Sequence, residues 1–417
     1  MDYDVVVAGG GSSGLAAAVA SARLGARTLL IERNGMLGGM ASAALVHSIC
    51  GLYELPKGDE PPVLANAGFA AEFAARLLAR GGATGPVRMG RVIVLLQRPV
   101  AFAQLCDEIV RETRSLDVRS QSEIVAADEG TITFACRGRM EKVRAGAVVD
   151  ATGDAVVAAL RGVACELEDS PRLQRPAYIF ALGGVGQGKL DDDSRLRLAR
   201  QISLAVKAGA LPQAALGAHF RESAQAAEAF VTIDLAGGPD FDPLDAGCLT
   251  RLETEGRDVA VRVAEFLRRE VEGFAASYIA AWPVRAGIRE SRRVVGRYRL
   301  EAGDLERGAQ FPDAVAFASW PIELRETATG PRLRFPTGDA PCAIPLRALR
   351  AREDDALFVA GRCISCSHEA QASVRVIGTC LATGEAAGLS AALQVLHGDG
   401  EAAAVNAART KISHEHR

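Results

Sequence analysis

Aromatic residues and excess positive charge are both scarce in this chain of 417 residues. Phe, Trp and Tyr make up 5% of it, and 48 Lys and Arg stand against 51 Asp and Glu, for a net charge of −3. The basic residues are scattered and form no run beside aromatic residues. Such a run is the usual sign of a nucleic-acid-binding surface. The sequence therefore predicts no nucleic-acid partner.

A secretion signal and long uncharged apolar runs are also missing. No charge-free apolar run reaches about 18 residues, the minimum for a membrane-spanning helix, and the chain enters an apolar strand at Asp2 to Val5. The chain has nine cysteines, an odd number, and no secretion signal. This indicates that most of them are reduced thiols packed as small hydrophobic groups. We expect a soluble cytoplasmic protein with no membrane partner. Association into a homo-oligomer is compatible with these features.

Two glycine-rich stretches, one near each end of the chain, predict a nucleotide-binding fold. The first follows an apolar run at residues 4–8 and contains Gly9, Gly11 and Gly14. Glycines at this spacing, between a buried strand and a helix, let backbone amides approach a pyrophosphate at the positive end of the helix. Glu32 follows the next predicted strand at about the usual spacing of 20 residues, where a carboxylate binds ribose hydroxyls.

Further turns favour a flavin over a nicotinamide cofactor. Gly38 and Gly39 provide a second close backbone approach just after the second strand, where a larger cofactor passing the sheet edge would lie. The second glycine-rich stretch places a turn at Gly361 before a final helix from about Cys380. Amides at the start of that helix would face a group that becomes negative on reduction, as flavin N1 and O2 do.

The predicted cofactor contacts lie in these turns and at the starts of the first and last helices. They are Gly9, Gly11, Ser12, Ser13, Gly14, Glu32, Arg33, Gly38, Gly39, Met40, Thr152, Gly153, Gly361, Arg362, Ile377 and Gly378.

These motifs together resemble the FAD-dependent oxidoreductase family of bacteria. The resemblance rests on Gly9 to Gly14, Leu37 to Gly39, Val149 to Asp154, Gly287 to Arg293, Asp313 to Phe317 and Gly361 to Gly388. It implies FAD and an α/β fold: a Rossmann-like FAD-binding domain, whose parallel sheet carries an inserted small antiparallel sheet, plus an α+β substrate domain. The family is functionally diverse, so no substrate follows. Relatives often carry Pro-Ile-Asp-Ile-His where this chain has Pro321 to Arg325, which lacks the histidine.

Length and composition predict two domains. A chain of 417 residues with 49% apolar residues exceeds what one hydrophobic core usually serves. We expect a discontinuous FAD-binding domain over residues 1–165 and 336–417, and a substrate domain over residues 166–335. In the substrate domain we expect strands at 177–182 and 230–235 and helices at 191–208 and 249–272. The alanine-rich tail from about 401 is expected to fray.

Three residues are candidates for contact with the substrate. His368 lies between the last strand and the last helix and titrates near neutrality, which suits a general acid or base. A histidine that merely hydrogen-bonds the loop explains it equally well. Arg375 could anchor a substrate carboxylate or the pyrimidine edge of the flavin itself by bidentate hydrogen bonds. Arg289 belongs to a basic cluster that a solvated helix face would also explain, although the family resemblance favours it.

Cysteines near the expected flavin offer a second chemistry. Cys363 and Cys366 have the spacing of a redox dithiol, and we weigh this against two packed thiols. His47 and Cys50 could approach the flavin ring or carry a covalent flavin bond, but a packed or solvated pair is favoured. No further ligands with metal-site spacing accompany the thiols, so we predict no metal.

The function expected is hydride transfer to flavin N5 from a small organic molecule, for which an anionic character is one option. No second nucleotide-binding motif occurs in the middle of the chain, so the electron acceptor is unknown: a quinone, an electron-transfer protein or oxygen. Two other enzymes stay open, a flavin-dependent monooxygenase and a dithiol-linked flavin reductase. A non-enzymatic flavin-binding protein is the third alternative, and a cavity filled by side chains would support it.

Overall fold

The computed structural model describes residues 2–186, 190–223, 225–238, 240–327, 330–338 and 340–415. The strands in this part of the chain are β1 (Tyr3–Ala8), β2 (Thr28–Ile31), β3 (Ser48–Ile49), β4 (Ala83–Met89), β5 (Val92–Gln97), β6 (Leu116–Arg119), β7 (Glu123–Asp128), β8 (Thr131–Cys136), β9 (Arg139–Asp150), β10 (Cys165–Glu166), β11 (Ala177–Gly183), β12 (His219–Glu222), β13 (Glu228–Asp234), β14 (Tyr278–Ala281), β15 (Arg293–Val294), β16 (Ala314–Ala318), β17 (Ile322–Leu324), β18 (Arg332–Arg334), β19 (Cys342–Pro345) and β20 (Leu357–Val359). The α-helices are α1 (Ser12–Arg23), α2 (Phe69–Ala79), α3 (Pro99–Glu112), α4 (Val156–Leu160), α5 (Asp192–Lys207), α6 (Ala246–Glu270), α7 (Ala302–Glu306), α8 (His368–Val374), α9 (Ile377–His397) and α10 (Ala402–Glu415).

The central sheet has the strand order β6-β2-β1-β9, with β20 also paired to β9, and all of these pairs are parallel. Its strands are apolar on both faces because each face covers a core. Val5 and Val7 of β1 pack into one core, and Val6 and Ala8 pack into the other. A sheet buried on both sides is what a continuous apolar run predicts.

Strand β9 belongs to two sheets. Its second half pairs in parallel with β1 and β20, and its first half pairs antiparallel with β8, which pairs with β7. This is the inserted antiparallel sheet that the resemblance implied, so the predicted α/β fold class is confirmed.

Helices α1 and α9 cross in direct backbone contact behind the central sheet. A Cβ atom at Gly384 would lie 2.1 Å from the Ser13 carbonyl oxygen, and one at Gly388 would lie 2.2 Å from that of Ala17. The hydroxyl of Ser21 also donates to the Gly388 carbonyl at 2.9 Å. The two glycine-rich stretches, far apart in sequence, therefore meet through their helices.

The second sheet is antiparallel, with the order β12-β13-β11-β14. One face carries Tyr178, Phe180, Val231 and similar side chains into a third core, which α5 and α6 complete. The predicted strand pair and both predicted helices are present. Helix α6 begins where the Asp245 side chain accepts from the Cys248 amide at 2.7 Å, a standard N-cap.

The opposite face of the second sheet is turned toward the central sheet. Ile179 pairs with Thr232, and Thr232 pairs with His219, so these three side chains form a row across three strands. Because side chains alternate along a strand, the row lies on the face away from the third core.

The predicted domain boundary at 166–335 stays a prediction, and the packing leads us to propose a different one. The third core draws its buried residues from Leu173 to Ala286. Buried residues from Val294 to Leu324 pack instead with the core of the central sheet. We propose that this later segment belongs with the FAD-binding half.

The tail does not fray over residues 402–415, which corrects the expectation from composition. Helix α10 packs Val405 fully into the core, and Arg409 forms an ion pair with Glu385 at 2.9 Å. Residues 416–417 of the predicted tail lie outside the described residues.

No single helix within the described ranges is both long and apolar enough to cross a membrane. Helices α8 and α9 pass that test only as a pair, and they are bent by 95° at the break between them.

Candidate functional site

One cavity of about 690 Å³ runs between the two halves of the protein. Its volume lies in the range usual for cofactor and substrate sites. Glycine-rich turns of the central sheet line one part, and the inward face of the second sheet lines another.

The glycine cradle, which we define as Gly9, Gly11, Ser12 and Ser13, lines the cavity at the start of α1. Gly9 has φ of +91°, and a Cβ atom there would lie 2.7 Å from the Ala151 carbonyl oxygen. A Cβ atom at Gly11 would meet only Gly39 Cα, at 3.9 Å, so the space it leaves is open. No side chain caps α1, and its first turn contains no acidic residue. The amides of Gly11, Ser12 and Ser13 can therefore bind an anion from the cavity, whereas the Gly9 amide already donates to the Ile31 carbonyl at 2.7 Å.

Glu32 directly follows β2 and lines the cavity. It is 4% exposed. Its Oε2 accepts from the Gly10 amide at 2.6 Å, and its Oε1 accepts from the Asn34 amide at 2.7 Å. A carboxylate has about four acceptor positions, so Glu32 is fixed in place and can still accept from a ribose. Arg33 lies beside it and pairs with Asp154 at 3.4 Å.

Arg362 clamps the turn that follows β9. Its Nε donates to the Gly153 carbonyl at 2.8 Å, Nη2 donates to Asp154 at 2.5 Å, and Nη1 donates to the Ile288 carbonyl. Thr152 donates its hydroxyl to Asp150 at 2.7 Å. Thr152, Gly153 and Arg362 all line the cavity. Most of the hydrogen bonds described above join them to other protein groups and stabilise the cavity wall.

Twelve of the sixteen predicted cofactor contacts line the cavity, and the other four are glycines. The twelve are Gly9, Gly11, Ser12, Ser13, Glu32, Arg33, Gly39, Met40, Thr152, Gly153, Arg362 and Ile377. Gly14, Gly38, Gly361 and Gly378 do not line it, so the structure gives their predicted cofactor contacts no support. Each instead permits two segments to touch, since added Cβ atoms would lie 1.7 Å from Gly9 O, 2.8 Å from Ser42 Oγ, 2.4 Å from Ser13 Oγ and 2.5 Å from Leu52 N, respectively.

Gly378 shows the reason most clearly. Its amide was expected to face the cofactor, but it donates to the Cys50 carbonyl at 2.9 Å. The start of α9 is thereby fixed to the loop that follows β3. Ile377, one residue earlier, does line the cavity, and α9 has neither a side-chain cap nor an acidic residue in its first turn.

Five arginines converge at the far end of the cavity. This basic chamber is lined by Arg221, Arg285, Arg289, Glu323, Arg325 and Arg375. They come from β12, the segment after β14, the end of β17 and the link between α8 and α9. Predicted residues Arg289 and Arg375 are thus brought together.

The carboxylates of Asp234 and Glu323 neutralise part of the positive charge of these arginines. Asp234 is 1% exposed at the end of β13. It accepts from Arg289 at 2.7 Å and from Arg325 at 2.8 Å, and Arg325 also pairs with Glu323 at 2.7 Å. Burial alone would raise the pKa of Asp234, but the two guanidinium groups outweigh it and hold that pKa far below its usual range.

Arg375 and Arg285 have no such carboxylate partner in the part of the chain that the structure describes. Within the described residues, the buried Nε of each has no hydrogen-bond partner. The Nη2 of Arg375 donates to Gln174 at 3.1 Å. Burial, and next the charge of Arg289, lower the pKa of Arg375 to about 10, which still leaves it protonated at neutral pH. Buried guanidinium groups without a counter-charge are costly, so this chamber is suited to an anion.

Two histidines face the cavity as neutral rings. Burial lowers the pKa of His47 to about 3 and that of His219 to about 4. His47 stacks on Phe230 with ring centroids 4.5 Å apart. Nδ1 of His219 lies 3.4 Å from the Gly217 carbonyl oxygen. A proton on that nitrogen would leave Nε2 as an acceptor.

His368 does not line the cavity, so the geometry gives no support to the predicted catalytic role, which stays a prediction. It is 2% exposed at the start of α8. Its Nδ1 lies 2.9 Å from Glu290, and its Nε2 lies 3.3 Å from Glu326. Burial lowers the pKa of His368, but the hydrogen bonds and charge of these glutamates outweigh burial and raise it. Both ring nitrogens serve an internal ion pair.

The possible redox dithiol is buried away from the cavity. Cys363 and Cys366 are 0% and 1% exposed, are not disulfide-bonded and do not line it. Burial raises the pKa of Cys366 to about 12 and that of Cys363 even more strongly. Such thiols carry almost no thiolate at neutral pH and are poor redox groups. Cys50 does line the cavity, but burial likewise raises its pKa.

The sequence reasoning missed the residues of the second sheet that face the cavity. His219 and Arg221 of β12 and Thr232 of β13 line the cavity, and Asp234, two positions after Thr232, binds Arg289 and Arg325 of the chamber. Polar residues at alternate positions of these strands were the available signal, since they mark one face of a sheet.

Comparisons with known proteins give a family model that matches most of the chain and several distantly similar solved structures. A family model described as FAD dependent oxidoreductase matches residues 4–411. A geranylgeranyl bacteriochlorophyll reductase-like structure from Thermoplasma acidophilum is 12% identical, with a TM-score of 0.47 over 99% of this chain and 83% of that one. The p-nitrophenol 4-monooxygenase PnpA from Pseudomonas putida DLL-E4 is 13% identical, with a TM-score of 0.40 over 99% and 82%. PqsL from Pseudomonas aeruginosa, a probable FAD-dependent monooxygenase, is 14% identical, with a TM-score of 0.43 over 99% and 91%.

Proposed function

The chain belongs to the FAD dependent oxidoreductase family, and from this premise we propose that it oxidises a small organic anion by hydride transfer to FAD. The observation that carries the proposal is a single cavity that joins the glycine cradle to the basic chamber. A cofactor in the first and a substrate in the second would share one space, and contact between them is what hydride transfer needs.

FAD fits the residues of the cradle. The open space beside Gly11 and the uncapped start of α1 suit a pyrophosphate, and Glu32 suits a ribose. The start of α9 at Ile377 offers a second positive helix end. Bound there, FAD supplies a two-electron acceptor that takes a hydride at N5.

The basic chamber would hold the substrate by its anionic group. Arg375 is the principal anchor in this proposal, because its buried Nε lacks a protein acceptor within the described residues and its charge is not neutralised by a direct ion pair. A guanidinium binds a carboxylate through two parallel hydrogen bonds, which fixes orientation as well as position. Asp234 and Glu323 hold Arg289 and Arg325 in place beside it.

His219 is the proton acceptor in this proposal. The substrate C–H bond breaks with both electrons leaving as hydride, while the proton of the adjacent O–H or N–H passes to Nε2 of His219. A C=O or C=N bond forms in the product. The low pKa of about 4 keeps this ring neutral and able to accept. A bound carboxylate would make it a stronger base, as an adjacent negative charge does.

The test is anaerobic reduction of the FAD-loaded protein by a panel of hydroxy acids and amino acids, with NADH and dithiothreitol as comparators. We expect at least one organic acid to bleach the flavin band and to yield one equivalent of oxo or imino product per flavin. Bleaching by NADH or dithiothreitol alone would contradict the proposal. So would an aerobic product that has gained an oxygen atom.

A further inference from the structure

The cavity meets the protein surface between two β-hairpins. One hairpin joins β4 to β5 and contributes Met89, Val92 and Val94. The other joins β17 to β18 and contributes Pro331 and Phe335, which lie directly before and directly after β18. We call these five side chains, together with Leu333, the apolar mouth. Leu333 lines the cavity and is nevertheless 46% exposed, so the cavity is open to solvent at this point.

The apolar mouth leads directly into the basic chamber. Leu333 of β18 pairs with Glu323 of β17, and both line the cavity. Directly paired residues on one face of an antiparallel pair have Cβ atoms about 5 Å apart. Arg325, which Glu323 binds, follows two positions later. A molecule a few carbons long would therefore span both regions.

A contact between the hairpins holds the mouth together. The guanidinium of Arg91, in the turn after β4, lies 4.0 Å from the centroid of the Phe335 ring. This is a close cation–π contact. It joins the two walls across the mouth, so the apolar surfaces face one another at a set spacing. Arg91 itself lines the cavity at its outer edge.

The chemistry of the two regions differs, and each limits the substrate in a different way. The chamber has guanidinium groups that lack a carboxylate partner among the described residues, and it therefore favours an anionic group. The mouth offers aliphatic and aromatic side chains that gain by removing apolar surface from water. A compact dianion would leave the apolar side chains of the mouth exposed to water. A neutral apolar molecule would leave Arg375 without a counter-charge.

We infer that the substrate is an amphiphilic organic acid: an anionic group bound at Arg375 and an apolar chain or ring of several carbons that lies along the mouth. This inference rests on the proposed function, because it names the substrate class of the same cavity. It specifies binding, and it can be tested without turnover.

Isothermal titration calorimetry of the FAD-loaded protein with acetate, butyrate, hexanoate and octanoate is the direct experiment. We expect the affinity to rise about two- to fourfold per methylene, as burial of CH₂ groups predicts. Leu333→Asp should flatten that dependence, while Leu196→Asp, at a position 71% exposed on α5, should leave it unchanged. Arg375→Gln should weaken every acid by a similar factor, about 10- to 100-fold.

Several outcomes would overturn the inference. They are equal affinity for all chain lengths, tighter binding of succinate than of octanoate, or an unchanged chain-length dependence in Leu333→Asp. Failure of the proposed function gives a different result. In that case the acids bind with the expected dependence on length, but no organic acid of the panel bleaches the flavin under anaerobic conditions.

Discussion

His219 is the residue on which the proposed chemistry depends most. Its substitution by Gln keeps a hydrogen-bonding side chain of similar reach but removes the proton acceptor. We expect the rate of flavin bleaching to fall about 10²- to 10⁴-fold, the range typical of a lost general base. Stopped-flow absorbance measures that rate, and calorimetry with octanoate measures binding. A rate within about twofold of the wild type would remove His219 from the mechanism.

His368 should act on stability and not on turnover. Because folding raises its pKa, its proton stabilises the folded state fully below the ordinary histidine pKa of about 6.5, and the contribution is lost as the pH rises through the raised value. His368→Gln should therefore lower the free energy of unfolding more at pH 6 than at pH 9. Urea denaturation at the two pH values measures this difference.

The bleaching rate of His368→Gln is the accompanying control. It should equal that of the wild type, since His368 does not line the cavity. A large loss of rate in a folded variant would restore the catalytic role first predicted from the sequence.

The glycine turn before α1 combines two functions that a matched pair of variants can separate. A Cβ atom at Gly14 would lie 1.7 Å from the Gly9 carbonyl oxygen, whereas one at Gly11 would project into open space. Gly14→Ala should thus destabilise the protein, by about 1–3 kcal/mol as overpacking does. Gly11→Ala should fold normally and bind FAD about tenfold more weakly. Thermal melting and FAD titration of the apoprotein distinguish the two; equal effects in both assays would contradict this division.

At the level of elements, strong local patterns were sufficient for prediction. The pair of strands predicted at 177–182 and 230–235 is β11 and β13, and the helix predicted at 249–272 is α6. Apolar alternation and helical periodicity are local properties, so one sequence displays them. The prediction that the tail frays was wrong. Alanine-rich composition suggests weak packing, but α10 is held by the buried Val405 and by the Arg409–Glu385 ion pair.

Within the site, the cavity lining around the glycine cradle was predictable, but the basic chamber was not. Glycines and Glu32 follow strands at spacings that the chemistry of a pyrophosphate imposes. Even so, the sequence could not distinguish Gly11, which faces the cavity, from Gly14 and Gly378, which bring two backbones together. Both demands select glycine, for different reasons.

The basic chamber exists only at the scale of the whole molecule. Arg221 comes from the second sheet, Arg289 from the segment after β14, and Arg375 from the link between α8 and α9. No spacing along the chain relates these residues, because tertiary packing alone brings them together. Their convergence on the cavity that also holds the glycine cradle is the central observation.

The most direct test of this account compares an organic acid with its own neutral amide. The FAD-loaded protein is mixed anaerobically with the acid that bleaches it best and, separately, with the matching amide, and the visible flavin band is followed in wild type and in Arg375→Lys. The account predicts rapid bleaching by the acid, at least tenfold slower bleaching by the amide at equal concentration, and partial retention of that preference in the lysine variant, which keeps the charge but not the bidentate geometry. Equal bleaching by acid and amide would contradict the claim that the basic chamber binds the substrate.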